Sequence, residues 1–366
     1  MTDIREMQIL HVAYSKKAPI GIQMQMQYEF DAVKKINICW DTVLFSTVAT
    51  KLPFMIHINP RLPSFLQWLK VYWWVFNKRK KYDFILFRNI KADFIGWIFT
   101  ILIHNIITIH HTKEIEECKI VQPFIYGKLL ACIEKYFGRI KLKSVFGIAG
   151  VTKEITEYEL KRQNLSKPIF IIPNGIYINS INNSLIPDER NGKLKAIFVS
   201  SNFDPWQGLD LILDSYLKNP NTEIELHLIG NVEEKYIKII QHINKTQKLI
   251  YLHGTLQKNK LYKFFVKADI GFGSFALFRK SLTEACALKI REYLAFGIPV
   301  YAGHIDSGLP PDFPYYFRGN PDICEIENQA MRCRTIPRAE VIESARPFID
   351  KAMIIERTYR NLSAFY

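Results

Sequence analysis

Apolar and polar positions run along the chain in short blocks that switch between two periods. Met7–Ala13 (MQILHVA) is a compact apolar run of the kind a buried strand needs. A turn at Pro19 and Gly21 follows, then a helical stretch from Gln23 to Lys35. Asp83–Phe87, Ile106–Ile109, Ser144–Ala149 and Ile169–Ile172 are further strand candidates, the last running into Pro173-Asn174-Gly175. Phe65, Trp68, Leu69, Tyr72, Trp73 and Phe76 recur at helical spacing and predict one apolar helix face. Short apolar runs separated by helical stretches predict a parallel sheet covered on both sides.

Around Asn179–Gly192 the pattern gives way to Asn, Ser, Pro, Asp and Gly, and then it restarts. Lys195–Ser200, Glu223–Ile229, Leu249–Leu252, Ile270–Phe272 and Val300–Ala302 read as strands. Gly208–Tyr216, Leu261–Lys267 and Leu288–Phe296 read as helices, the last stopped by Gly297-Ile298-Pro299. The tail from Ala339 to Asn361 reads helical. The pattern predicts an α/β chain of two Rossmann-like halves: a domain over 1–178, a linker over 179–192, a second domain over 193–345, and a C-terminal helix over 346–366 that can cross back to the first.

A length of 366 residues agrees with two domains at about 150 residues each. Hydrophobic residues at 48% and charged residues at 23% exclude a disordered or collagen-like chain. Six cysteines form no C-x-x-C, which suggests a reducing compartment. The start, with Asp3 and Glu6 and no long apolar run, is not expected to act as a secretory signal. The most apolar stretch, Phe94–Ile109, is interrupted by His104 and Asn105 and is too short to span a bilayer. The expected location is cytoplasmic. The net charge of +14 is uneven, with +11 in residues 1–175 and +3 in the rest. Residues 61–91 hold eight basic side chains and one acid, beside the aromatic helix face. That combination suits an anionic membrane surface, so peripheral association with the inner face of the cell membrane is expected. No nucleic-acid-binding motif accompanies the charge, and no nucleic-acid partner is expected.

In open parallel sheets, ligands bind at the carboxyl ends of strands. Gly21, Gly230 and Gly254 lie at such strand-to-helix turns, although no G-x-G-x-x-G follows the first strand. The densest chemistry lies in residues 273–303. Glu284 and Glu292 have seven residues between them, and Arg279, Lys280, Lys289 and Arg291 crowd around them. Carboxylates accept hydrogen bonds from sugar hydroxyls, and Lys and Arg neutralise a diphosphate. On spacing alone, an amphipathic helix with surface ion pairs explains the pattern equally well.

The segment resembles the glutamate–seven–glutamate signature of the retaining glycosyltransferases of family four, which have the GT-B fold. Glu292-Tyr-Leu-Ala-Phe-Gly297-Ile-Pro299-Val300 follows that family's pattern closely. Ile172-Pro173-Asn174-Gly175-Ile176, Trp206-Gln207-Gly208-Leu209-Asp210, Leu226–Gly230 and Ala268-Asp269-Ile270 fit further motifs in the family's order. The resemblance covers most of the second half well and the first half loosely.

It implies a two-domain enzyme that moves a sugar from a nucleoside diphosphate sugar to a hydroxyl of a growing glycan or lipid-linked acceptor, with retained anomeric configuration. Glu292 is then the ribose ligand, and Glu284 lies near the transferred sugar. The loop Ala285-Cys286-Ala287-Leu288 stands where the family has a Gly/Phe-rich one, with Leu288 at the donor. The family's diphosphate Lys is replaced by Gln207, so the charge is expected from Arg279 and Lys289, with Lys280 close by. His111 is the expected acceptor-side His, preferred over His110 because it lies beyond the apolar run, and Gly21 is expected opposite the diphosphate. No Asp-x-Asp motif is present, so neither a metal nor another cofactor is expected. A sugar-nucleotide epimerase, a non-catalytic sugar-nucleotide-binding homologue and a basic nucleic-acid-binding protein remain as alternatives.

Overall fold

The computed structural model describes residues 6–121, 124–164, 166–180 and 187–366. Residues 181–186 of the expected linker and the first five residues of the chain lie outside them. The chain divides into two compact units. The first comprises Met1–Tyr177 with Asp350–Tyr366, and the second Ile178–Ile349.

The first unit is built on seven parallel strands: β1 Ile9–Tyr14, β2 Trp40–Ser46, β3 Met55–His57, β4 Phe84–Arg88, β5 Ile106–His110, β6 Gly147–Gly150 and β7 Ile169–Ile171. Their spatial order is β3-β2-β1-β4-β5-β6-β7, so the winding reverses between β1 and β4. The helices are α1 Ile20–Val33, α2 Ser64–Lys78, α3 Gly96–Leu102, α4 Glu114–Val121, α5 Phe124–Ile133, α6 Arg139–Ser144 and α7 Lys153–Gln163. α1 begins three residues earlier than the pattern predicts, because Pro19 supplies the N-cap backbone and cannot continue a strand. The predicted strand Ser144–Ala149 begins only at Gly147, since Ser144 closes α6 and its hydroxyl back-bonds to Lys141 O.

The aromatic periodicity of α2 does not form a single face. Tyr72 is fully buried against Phe87 and Phe99, and Trp68 and Phe76 are half-buried on the same core. Phe65, Leu69 and Trp73, one turn apart, point outward.

The second unit has strands β8 Lys195–Asn202, β9 Glu225–Asn231, β10 Ile250–Leu252, β11 Ile270–Phe272, β12 Glu284–Ala285, β13 Val300–Ala302, β14 Ile305–Asp306 and β15 Tyr316–Arg318. Six of them form a parallel sheet in the order β10-β9-β8-β11-β13-β15, and β12 pairs separately with β14. The helices are α8 Leu209–Lys218, α9 Glu234–Thr246, α10 Lys258–Phe265, α11 Leu288–Ala295, α12 Ile323–Arg334 and α13 Arg338–Ile349. Its core gathers Phe198, Leu226, Leu228, Ile270, Phe272 and Ile326. Gly297 stops α11 with φ +70, where a Cβ would lie 2.5 Å from that of Arg338.

The predicted C-terminal helix is two helices. α13 ends at Ile349, and Asp350 caps α14, Lys351–Ser363, by accepting from Ala352 N. α14 belongs to the first unit. Lys351 Nζ lies 3.0 Å from Glu29 Oε2, and the Tyr359 hydroxyl donates to Met7 O. Among the described residues, no helix is long and apolar enough to cross a membrane.

Candidate functional site

In the second unit the winding reverses between β8 and β11, and the turns leaving those two strands meet. After β8 the chain makes a 3-10 turn, Pro205–Gln207, and Gly208 starts α8 with φ +76. A Cβ on Gly208 would lie 2.9 Å from that of Phe275, so the turn needs glycine on both counts. After β11, Phe275 N donates to Gln207 O, and the Ser274 hydroxyl donates to Gln207 Oε1.

Three cations singled out by the sequence end on this one turn. Lys289 Nζ donates to Gln207 Oε1 at 2.8 Å and lies 4.5 Å from the centre of the Phe198 ring. Arg279 reaches both carboxylate oxygens of Asp210, at 2.9 and 2.6 Å, and also Pro205 O. Lys280 sits over the Trp206 ring. Arg279 is therefore already compensated by a carboxylate. Lys289 has no carboxylate at ion-pair distance among the described residues, and burial pushes its ammonium down to about 7.

The two glutamates bracket the start of α11. Glu284 is half-buried on β12, where it registers with Ile305, and Glu292 is half-buried on the second turn of α11. Leu288 is the first residue of α11, whose opening amides lack helical partners and attract anions.

Arg291, which the spacing grouped with the donor cations, is fully buried and paired with Asp306 through both guanidinium nitrogens, one also contacting Cys286 Sγ. It holds the Glu284 strand and α11 together. Its partner Asp306 was not legible in the sequence, because β14 is two residues long. Nearby His304 bonds Ser274 O, and burial lowers its imidazole to about 4, so it is neutral at physiological pH.

His111 and Gly21 belong to the first unit. His110 is the last residue of β5, and His111 lies just beyond it. His110 is buried between Thr108 and Glu114 as a structural residue. His111 lines a cavity with His11, Glu29, Arg88, Asn174 and Lys351, and its Nε2 is buried without a hydrogen-bond partner. Gly21 is the second residue of α1, and a Cβ there would meet open space.

Residues 183–311 match the family described as Glycosyl transferases group 1. No curated protein matches the chain. Among solved structures, the chain resembles a glycosyltransferase from Rickettsia africae ESF-5 (TM-score 0.66, 13% identity, covering 98% of this chain and 99% of that one). It also resembles Anabaena Alr3699/HepE, solved with UDP and glucose (0.64, 14%, 98% and 100%). A third likeness is to sucrose-phosphate synthase from Thermosynechococcus elongatus (0.67, 13%, 98% and 100%). At such identities these likenesses speak for the fold, and they span both units. The chain therefore has the two-domain GT-B fold, and within its second unit residues 183–311 match the model of the group 1 glycosyl transferases.

Proposed function

We propose that the protein is a retaining glycosyltransferase that takes a nucleoside diphosphate sugar as donor and a hydroxyl of a glycan or lipid-linked molecule as acceptor. One observation carries this reading: Lys289, Lys280 and Arg279 converge on the Pro205–Asp210 turn at the switch point of the second sheet, beside the α11 N-terminus that Glu284 and Glu292 bracket. Ligands of parallel α/β sheets bind at such a point. Glu292 accepts the ribose hydroxyls, Glu284 orients the sugar, and Lys289 with the Leu288 amide end of α11 receives the diphosphate.

In the reaction, the bond from the sugar's anomeric carbon to the diphosphate oxygen breaks. The acceptor oxygen bonds the same carbon on the same face, and its proton passes to the departing phosphate. The protein's part is to stabilise the charge that develops on the leaving group, which is the large term in such sites. With cations and helix amides in that role, no divalent ion is required.

A panel of nucleoside diphosphate sugars tests the reading. A true donor at 100 times its dissociation constant stabilises the fold by about 2.7 kcal/mol. Transfer with that donor persists in excess EDTA, and the product keeps the donor's anomeric configuration by NMR. Inversion, or isomerised sugar without transfer, contradicts the reading.

A further inference from the structure

We infer that the first unit holds an oxyanion subsite, made by Arg88 and His111, that takes a carboxylate or phosphate carried by the acceptor. The assignment to the acceptor rests on the reading above; the subsite itself rests on geometry within one unit.

Arg88 ends β4 and registers with Ile109 of β5, so the two share one face of the sheet, and His111, just past the end of β5, lines the same cavity. That face looks toward α1. Arg88 Nη1 donates to Gln25 Oε1 at 2.7 Å, and Gln25 Nε2 donates to Asn174 Oδ1 at 3.2 Å. Among the described residues, no carboxylate lies at ion-pair distance from Arg88, and burial lowers its guanidinium to about 10. Glu114 and Glu117 act on it only from beyond ion-pair distance, so burial outweighs them. A guanidinium so placed is costly, and an incoming oxyanion removes that cost.

The other nearby cation is already used. Lys351 Nζ pairs with Glu29, which also accepts from Trp40 and Thr42 and contacts His11 Nδ1. Arg88 therefore remains the unsatisfied charge of the cavity. His111 adds a polar atom without a hydrogen-bond partner, its buried Nε2, and His11 Nε2 in the same cavity is another. Burial and the Arg88 charge keep the His111 imidazole neutral, and its Nε2–H tautomer can donate a hydrogen bond to an oxyanion. The enclosed space is about 30 Å³, too small for a sugar ring and suited to the oxygens of one small group. An acceptor would thus seat its charged substituent here, with its ring outside.

Imidazole NMR on the full chain with ¹³C-labelled histidine tests this, His111 being assigned through His111→Gln. The probes are glucuronate, glucose 6-phosphate and glucose, without donor. A saturable shift of the His111 signal is expected with glucuronate or glucose 6-phosphate but not with glucose, and the probe that acts decides between carboxylate and phosphate. Arg88→Gln should weaken that response by about tenfold or more, since a hydrogen bond to a charged group is lost. Arg88→Lys should keep part of it, and carries the test if Arg88→Gln does not fold. No shift with either anion, an equal shift with glucose, or an unchanged response in the Arg88 variants overturns the subsite. Nucleoside diphosphate binding measured in the same sample reports on the second unit, so failure here stays distinct from failure of the transferase reading.

Discussion

At the scale of single residues, Lys289 sets the charge of the donor turn. The sequence shows Gln207 where the resembling family has a lysine, and it shows Lys289 as a helix residue. It does not show that the two touch, because 82 residues separate them and only the adjacency of β8 and β11 closes the distance. The pair restores an ammonium to the turn from a different element. Burial holds that ammonium at about 7, well below its unfolded value of 10.5. The unfolded chain therefore binds the proton more readily. The stability penalty is full below about pH 7 and is relieved as pH rises toward 10.5. Donor binding has the opposite dependence, because a diphosphate favours the protonated lysine. Nucleoside diphosphate affinity should fall as pH rises above about 7, with proton uptake on binding, and Lys289→Met should flatten both. Calorimetry in buffers of different ionisation enthalpy checks this. An unchanged pH profile in Lys289→Met would remove Lys289 from the site.

At the scale of elements, most strands with contiguous apolar runs were legible to within a few residues, down to the three-residue β11 and β13, while β2 over Trp40–Ser46, the two-residue strands and the paired helices were not. β12 and β14 have two residues each, and their place is fixed by the Arg291–Asp306 pair rather than by any apolar pattern. Removing one partner of a buried pair costs about 3–5 kcal/mol, so Arg291→Met should lower urea-unfolding stability by that order and loosen donor binding with it. A loss below about 1 kcal/mol would show that the β12–α11 segment is held by other contacts. For α2, periodicity could not tell the core side from the outer side, because aromatic residues lie on both. Only Phe65, Leu69 and Trp73 are outward, at 44%, 42% and 58% exposure. Of the basic cluster beside them, Lys81 is tied to Asp41 and Arg79 lies over Phe76. We propose that this outer stripe, with exposed Lys78 and Lys80, meets an anionic membrane. Flotation should show binding to anionic vesicles that weakens with salt. Phe65→Ser with Trp73→Ser, or Lys78→Gln with Lys80→Gln, should reduce it, each lysine being worth about 1 kcal/mol. Equal flotation of variants and wild type would assign the charge asymmetry to another cause.

At the scale of the whole molecule, two Rossmann-like halves were legible because the strand–helix alternation stops around residues 179–192 and begins again. A C-terminal helix that can cross back was expected, but the contacts that group Asp350–Tyr366 with the first unit, such as Lys351 with Glu29, are encoded in no local pattern. The same holds for the unsatisfied Arg88, which the sequence presents only as one more charge in a basic stretch. The central claim is that the second unit binds a nucleoside diphosphate through Glu292. Isothermal titration of wild type and Glu292→Ala with the nucleoside diphosphates of the common bases tests it most directly. One of them should bind wild type. The variant should bind it about 10–100 times more weakly, as the loss of hydrogen bonds worth about 1.5–3 kcal/mol requires. Equal affinity in the two proteins, or no nucleoside diphosphate bound by wild type, would contradict the account.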